Sequence, residues 1–225
     1  MRKRRGKHAR GMEKTGKALP PRHVGRPRRE EREQIETRIL EVARRSFLTR
    51  GFNDTTINSV AAEAALTRRS VMHRYPGKEA LLLAVVHRQI AAANVLAVQG
   101  PDEAEPVDML RRLCRVLLAS ATDPVQTGIF RICMAEIGRL PALSEPILQL
   151  NNQLAAQIEA VVIRAQAHGR FRNGDAAAMA TSAIGMMLSN PIVRGAMGDE
   201  QFSGESGVDA YFERMWTIFT HMARP

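Results

Sequence analysis

The amino-acid sequence predicts an all-α fold, with a three-helix helix-turn-helix unit followed by a larger helical domain. Hydrophobic residues make up 44% of the 225 residues but aromatic residues only 4%, so small and aliphatic side chains must fill the core, which favours packed helices over sheets. After residue 31, apolar residues recur every three or four positions, as on one face of a helix. Two short segments around residues 66–67 have the lengths and the tight break of a helix-turn-helix pair. We therefore divide the chain into residues 1–28, 29–78 and 79–225.

Residues 1–28 have the character of a disordered basic arm, because they mix Lys, Arg, Gly and Pro without apolar periodicity. Residues 1–32 contain 13 Lys and Arg and three acidic residues, and so account for the whole formal net charge of +10. The arm lacks the apolar run of a signal peptide. Its last segment, VGRPRR at 24–29, is extended, flat and basic, a shape that suits the minor groove of A·T-rich DNA. The alternative is a solvated tail.

An apolar stripe predicts the first helix, and two residues, a glycine and a threonine, predict where it ends and where the second helix begins. The stripe of the first helix, which begins at Glu31, consists of Ile35, Ile39, Leu40, Ala43 and Phe47. Gly51 is placed to stop this helix. Thr55 is the expected N-cap of a second helix, Thr56–Ala64.

The third helix is short and strongly basic. Leu66 and Thr67 form the break before it, and Thr67 is the expected N-cap of a helix at Arg68–Tyr75. A Pro-Gly pair ends it, and Lys78 opens a long helix to about Val98. In a helix-turn-helix unit this third helix would be the recognition helix, whose N-terminal residues meet base edges in the major groove. An αα-hairpin in another kind of helical bundle is the alternative.

The sequence of the remaining residues predicts five further helices. They are Pro106–Ala121, Pro124–Leu140, Leu143–His168, Ala176–Ala196 and Val208–Ala223. A turn at Gly169–Asn173 separates the third of these from the fourth, which Asp175 caps and Pro191 should kink. We expect no transmembrane helix, because the longest apolar run, Ala80–Val98, is interrupted by four polar residues.

The segment RILEVARRSFLTRGFNDTTINSVAAEAALTRRSVMHRYPGKEALLLAV, residues 38–85, resembles the DNA-binding domain of TetR-family transcriptional regulators. The resemblance implies an all-α homodimer, a palindromic operator in double-stranded DNA, and a C-terminal ligand-binding and dimerisation domain that changes the spacing of the two recognition helices. Three positions depart from the family pattern. Ala65 stands in place of a turn glycine, Arg69 in place of a frequent glycine, and Met72 in place of a tyrosine that contacts phosphate.

The basic and hydroxyl residues of this unit are the candidate DNA contacts. They are Arg28, Thr55, Thr56, Arg68, Arg69, Ser70, His73, Arg74 and Lys78. Arg68 is the first candidate for base readout, because a guanidinium can bond O6 and N7 of guanine together. Arg69 and Ser70 can contact a base edge or a phosphate, while the two threonines, His73, Arg74 and Lys78 suit the phosphate backbone. A solvated basic face is the alternative for each arginine.

The C-terminal domain offers a candidate ligand pocket and a candidate dimer interface. The run FRICMAEIGRLPALSEPI, residues 130–147, resembles the ligand domain of one TetR subgroup. The candidate pocket residues are Met109, Leu113, Leu117, Phe130, Met134 and Ile137. Few charged groups fall on those faces, which indicates a small apolar ligand. The last two predicted helices are implied to form the dimer interface, and an ordinary core is the alternative for both sets.

We interpret the chain as a repressor that a small molecule releases from its operator. A non-specific nucleic-acid-binding or nucleoid-type protein that acts through its basic arm is the alternative. An enzyme is disfavoured, because no catalytic motif occurs and no carboxylate pair or metal-ligand spacing is present. Cys114 and Cys133 have no CxxC or Cys/His spacing, which indicates reduced thiols in the cytoplasm. We expect no cofactor.

Overall fold

The computed structural model of the protein describes residues 29–97 and 105–225. Within those ranges the chain forms helices and no strands, which confirms the predicted all-α fold. The basic arm, with its candidate contact Arg28, and the end of the predicted fourth helix at Val98 lie outside the described residues. The helices are α1 Arg29–Asp54, α2 Ile57–Glu63, α3 Arg68–Arg74, α4 Lys78–Ala97, α5 Pro106–Ala121, α6 Pro124–Glu136, α7 Ser144–Ala167, α8 Ala176–Ile184, α9 Asn190–Ala196 and α10 Glu205–Ala223.

Glycine interrupts α1 where the sequence predicts a stop. Gly51 has φ 84° and ψ 169°, a backbone conformation that residues with a Cβ rarely adopt. The N-cap of α2, however, is Thr56 and not Thr55, so that prediction is wrong by one residue. Thr56 Oγ1 accepts the backbone N–H of Ser59 at 3.0 Å, and Ser59 Oγ accepts that of Thr56 at 3.2 Å. Thr55 is instead buried, and its hydroxyl donates back to the carbonyl of Gly51 at 2.8 Å.

The turn between α2 and α3 has the predicted form. Ala65 has φ 53°, so the left-handed conformation is kept although alanine has replaced glycine. Thr67 Oγ1 accepts the backbone N–H of Ser70 at 3.1 Å, which confirms the predicted cap of α3. Val71 and Tyr75 are buried and hold α3 against α1 and α4.

The described residues form two hydrophobic cores, and part of α6 belongs to the first. The first core contains α1 to α4 together with Ile129 and Cys133 of α6 and Leu143. The second core is built from α5, α7, α8 and α10. Because the first half of α4 also lies in the first core, packing continues across the division at residues 78 and 79, and that boundary stays a prediction.

The predicted helix Ala176–Ala196 is broken before its proline rather than kinked at it. A wide π-helical turn at Gly185–Ser189 joins α8 to α9. Pro191 has no N–H, so it leaves the carbonyl of Met186 without the partner that a continued π turn would supply. The hydroxyl of Tyr211, on α10, donates to that carbonyl and accepts the side-chain N–H of Asn190.

The same segment is the one described helix long and apolar enough to cross a membrane by length and composition. In this structure Ala180, Ala183 and Met187 pack it into the second core.

The predicted helix Pro124–Leu140 also ends early, at Glu136. Its tail forms a turn before the short 3-10 helix Pro141–Leu143, because Pro141 cannot continue an α-helical hydrogen-bond ladder.

Candidate DNA interface and ligand cavity

The first turn of α3 presents two unpaired arginines. The side chains of Arg68 and Arg69 are exposed, and neither forms a hydrogen bond or ion pair with any residue that the structure describes. The cap at Thr67 and the buried Val71 fix the orientation of this turn on the protein. The two guanidinium groups can therefore meet a partner without first breaking an internal contact.

Arg68 lies at the edge of a cleft that joins α3 to the start of α2 and the start of α4. The cleft has a volume of about 280 Å³. Its lining residues are Asn53, Thr55, Thr56, Ile57, Asn58, Arg68 and Lys78. The structure thus brings together four residues predicted from the sequence and adds Asn53 and Asn58. These two amides were detectable only as polar residues flanking the expected start of α2.

The ammonium group of Lys78 bonds to the protein and keeps one donor free. Its Nζ donates to the carbonyls of Phe52 at 3.2 Å and Asn53 at 3.1 Å, and it lies 4.5 Å from the centre of the Phe52 ring. These contacts hold the end of α1 against α4. Because an ammonium has three N–H donors, one remains for an external oxygen.

The other predicted contacts of α3 differ in how free they are. His73 is exposed, whereas Arg74 is half-buried and donates through Nη1 to the carbonyl of Ser70 at 3.0 Å. The hydroxyl of Ser70 lies 3.0 Å from that of Thr67. Met72 is half-buried and offers no donor. The outer face of α3 is thus available mainly through Arg68, Arg69 and His73.

Tyr75 anchors the C-terminal end of α3. Burial raises the pKa of its hydroxyl to about 12, with the Glu36 carboxylate as the next cause, through its charge and a hydrogen bond. The hydroxyl therefore stays protonated across physiological pH, and the buried ring fixes the end of α3 in the first core.

A cavity of about 320 Å³ lies where the two cores meet. Its walls come from α4, α5, α6, α7 and the segment from the end of α8 to α9. Apolar side chains dominate, and the polar lining residues are Gln89, Ser120, Gln126, Asn151 and Ser189. No described residue that lines the cavity is charged.

The cavity contains two of the six predicted pocket residues, Leu117 and Phe130. Met109 and Leu113 pack against the second core and Ile137 against the first, while Met134 is 42% exposed. The six lie along the apolar faces predicted for these two helices, α5 and α6, but the cavity opens only where α5 and α6 meet α4, α7 and α9. The aliphatic residues of those three helices were missed because a core stripe and a pocket wall have the same periodicity.

Both cysteines are buried free thiols. Burial raises the pKa of Cys114 to about 12 and that of Cys133, in the cavity wall, to about 11. Both therefore remain protonated at neutral pH. No cluster that could hold a metal ion occurs among residues 29–97 and 105–225.

One close approach connects the cavity to the helix-turn-helix unit. Gly128 of α6 lies against Leu48 of α1, and a Cβ at position 128 would lie 2.5 Å from Cδ2 of Leu48. The next residue along α6, Ile129, lines the cavity, as does Cys133 one turn later. The contact between α6 and α1 therefore lies one residue from the cavity wall.

Comparisons with known proteins agree with this two-part architecture. The family model described as bacterial regulatory proteins, tetR family, matches residues 39–85. A model of the AefR-like transcriptional repressor C-terminal domain matches residues 108–222, half of the chain. The HTH-type transcriptional repressor BepR of Brucella suis is 24% identical over 190 residues, which cover 81% of this chain and 88% of BepR.

Solved structures show the same fold. A TetR transcription regulator from Haloarcula marismortui superposes with a TM-score of 0.70 at 17% identity, covering 85% of this chain and 98% of that one. GusR of Salmonella enterica superposes with a TM-score of 0.65 at 20% identity, covering 84% and 95%.

Proposed function

This chain belongs to the TetR family of DNA-binding transcriptional regulators, and we propose that it is a homodimeric repressor released from a palindromic operator by a small apolar ligand. Regulators of this family bind DNA and small molecules and act as dimers. The observation that carries the proposal is the pair of exposed, unpaired arginines on the first turn of α3, joined through α1 and α6 to an uncharged cavity.

Operator contact rests on α3 and the cleft beside it. Arg68 and Arg69 are proposed to read bases, since an arginine fork discriminates guanine by about 1–3 kcal/mol. Thr56, His73 and Lys78 are proposed to contact phosphates. Thr55 has less support, because it is buried and its hydroxyl donates to the carbonyl of Gly51. Arg74 donates one N–H to the carbonyl of Ser70 and keeps its other donors for a phosphate. Arg28 stays a prediction from the sequence.

Dimerisation is proposed through the outer faces of α8 and α10. Ala178 and Ser182 on α8 are exposed, as are Ile218 and Met222 on α10. Small residues on one helix permit close approach, and the exposed apolar side chains on the other gain from burial. Two copies would place recognition helices on half-sites about 34–36 Å apart.

Release is proposed to run from the cavity through α6 to α1. A ligand that contacts Ile129 and Cys133 can shift α6, and the contact between Gly128 and Leu48 passes the shift to the N-terminal domain. The relatives are transcriptional regulators, so we also propose that this chain works by binding rather than catalysis, in the cytoplasm.

Competition binding tests the operator proposal. A palindromic site selected from random DNA should bind at least about 10³-fold more tightly than scrambled DNA at the same salt concentration. Equal affinity for the two would reject operator recognition and favour the non-specific, nucleoid-type alternative.

A further inference from the structure

The cavity differs from most protein surfaces in the complete lack of charge on its described lining. Nineteen residues line it, and among them are no Asp, Glu, Lys, Arg or His. The nearest buried carboxylate along α6, that of Glu136, lies outside the lining and is paired with Arg139 at 3.9 Å. A charged ligand would therefore lose its hydration without gaining a counter-ion, which is unfavourable in a largely apolar site.

Polar groups are nevertheless present, and they are neutral. Gln89, Ser120 and Gln126 are half-buried, and their side-chain polar atoms form no hydrogen bond with another described residue. An amide can both donate and accept, so these groups suit a hydroxyl or carbonyl on the ligand. A purely hydrocarbon ligand would displace their water without replacing its hydrogen bonds.

The volume of the cavity limits the size of the ligand. An apolar cavity of about 150 Å³ holds one benzene ring, so a cavity of about 320 Å³ holds roughly a dozen non-hydrogen atoms. This corresponds to two fused rings or a medium-length alkyl chain.

From charge, polar groups and volume together, we infer that the cavity selects an uncharged amphiphile of about a dozen non-hydrogen atoms, with an apolar body and one hydroxyl or carbonyl group. This inference rests on the proposed ligand-responsive function and defines its chemistry. Amphiphiles of the same shape that carry a carboxylate or an ammonium are excluded by charge, not by size.

Calorimetric titration of the full-length protein, without DNA, tests the inference with two matched series of probes at pH 7. One series is 2-naphthol, 2-naphthoate and 2-naphthylmethylammonium; the other is decanol, decanoate and decylammonium. In every series whose members bind, the neutral member should bind at least about tenfold more tightly than both charged members, a difference of about 1.4 kcal/mol. A charged member that binds as tightly as its neutral partner in either series overturns the inference, and so does a failure of all six to bind.

Charge-inserting variants locate the selectivity in the cavity. Gln126→Glu should raise the affinity for the ammonium probe relative to the alcohol by at least about tenfold, and Gln89→Glu serves the same purpose if the first variant does not fold. Asn152→Asp is the matched control, because Asn152 is exposed on α7 beside the lining residue Asn151 but does not line the cavity. If Asn152→Asp raised the affinity for the ammonium probe relative to the alcohol as much as Gln126→Glu does, the effect would be a long-range one and would contradict the inference.

Operator binding, measured separately, distinguishes this inference from the proposed function. Selective binding of the alcohol without release of DNA would reject ligand-responsive repression and leave the selectivity of the cavity in place. Release of DNA by a charged probe would reject the selectivity and leave ligand-responsive repression in place.

Discussion

Replacement of Ala65 by glycine should stabilise the protein, although it removes side-chain atoms. Ala65 is the single non-glycine residue with positive φ in the described part of the chain, at 53°. An L-residue in this region costs about 1–2 kcal/mol, and glycine loses about 0.5–1 kcal/mol more backbone entropy than alanine on folding. The methyl group is exposed, so its removal forfeits little burial. The net gain expected is about 0.5–1 kcal/mol.

The turn around Ala65 does not otherwise depend on the side chain. Its N–H donates to the carbonyl of Ala62 at 3.1 Å, and that of Leu66 to the carbonyl of Ala61 at 2.9 Å, and both bonds survive in a glycine variant. Urea and thermal unfolding at fixed protein concentration measure the effect, since about 1 kcal/mol shifts Tm by roughly 2–4 °C for a chain of this size.

Ala62→Gly is the matched control for this prediction. Ala62 is exposed and lies within α2, where glycine should destabilise by about 1 kcal/mol. The two variants should therefore shift Tm in opposite directions. A loss of stability in Ala65→Gly as large as that in Ala62→Gly would refute the conformational argument.

Three further predictions address the π-helical turn, the contact between α6 and α1, and the arm. Tyr211→Phe should lower stability by about 1–3 kcal/mol in urea unfolding, because the carbonyl of Met186 loses its donor; unchanged stability would show that the bond contributes nothing. Gly128→Ala should weaken operator binding, and a second change, Leu48→Ala, should restore most of it with a coupling energy of about 0.5–3 kcal/mol. Additive effects of the two changes would argue against a direct contact. Deletion of residues 1–28 should flatten the salt dependence of operator affinity while the sequence preference persists. An unchanged slope would show that the arm makes no phosphate contacts.

Features of the fold that depend on local chemistry were predictable from the sequence. The stop at Gly51, the cap at Thr67 and the start of α5 at Pro106 each reflect one residue and its immediate neighbours. The strained turn at Ala65 followed from the resemblance and from the missing glycine. The error at Thr55 arose because two adjacent threonines are equally good caps. Only the burial of the first against α1 decides between them.

Features that depend on distant residues were not predictable. The π-helical turn before Pro191 is completed by Tyr211, which lies 20 residues later on another helix. The cavity is the space left between five helical segments that do not pack fully against one another. Side chains such as Val86 and Ile192 therefore have the same sequence signature as ordinary core residues. Resemblance indicated that a pocket exists, but only tertiary packing locates it.

Base-resolved operator binding of Arg68→Ala and Arg69→Ala tests the central claim that α3 reads DNA sequence. The affinities of wild type and each variant are measured for an operator library with one base pair changed at a time. At least one variant should lose about 1–3 kcal/mol of discrimination at a single position in each half-site, placed symmetrically about the operator centre. A loss of affinity spread uniformly over all sequences in both variants would make the two arginines phosphate contacts and contradict the claim.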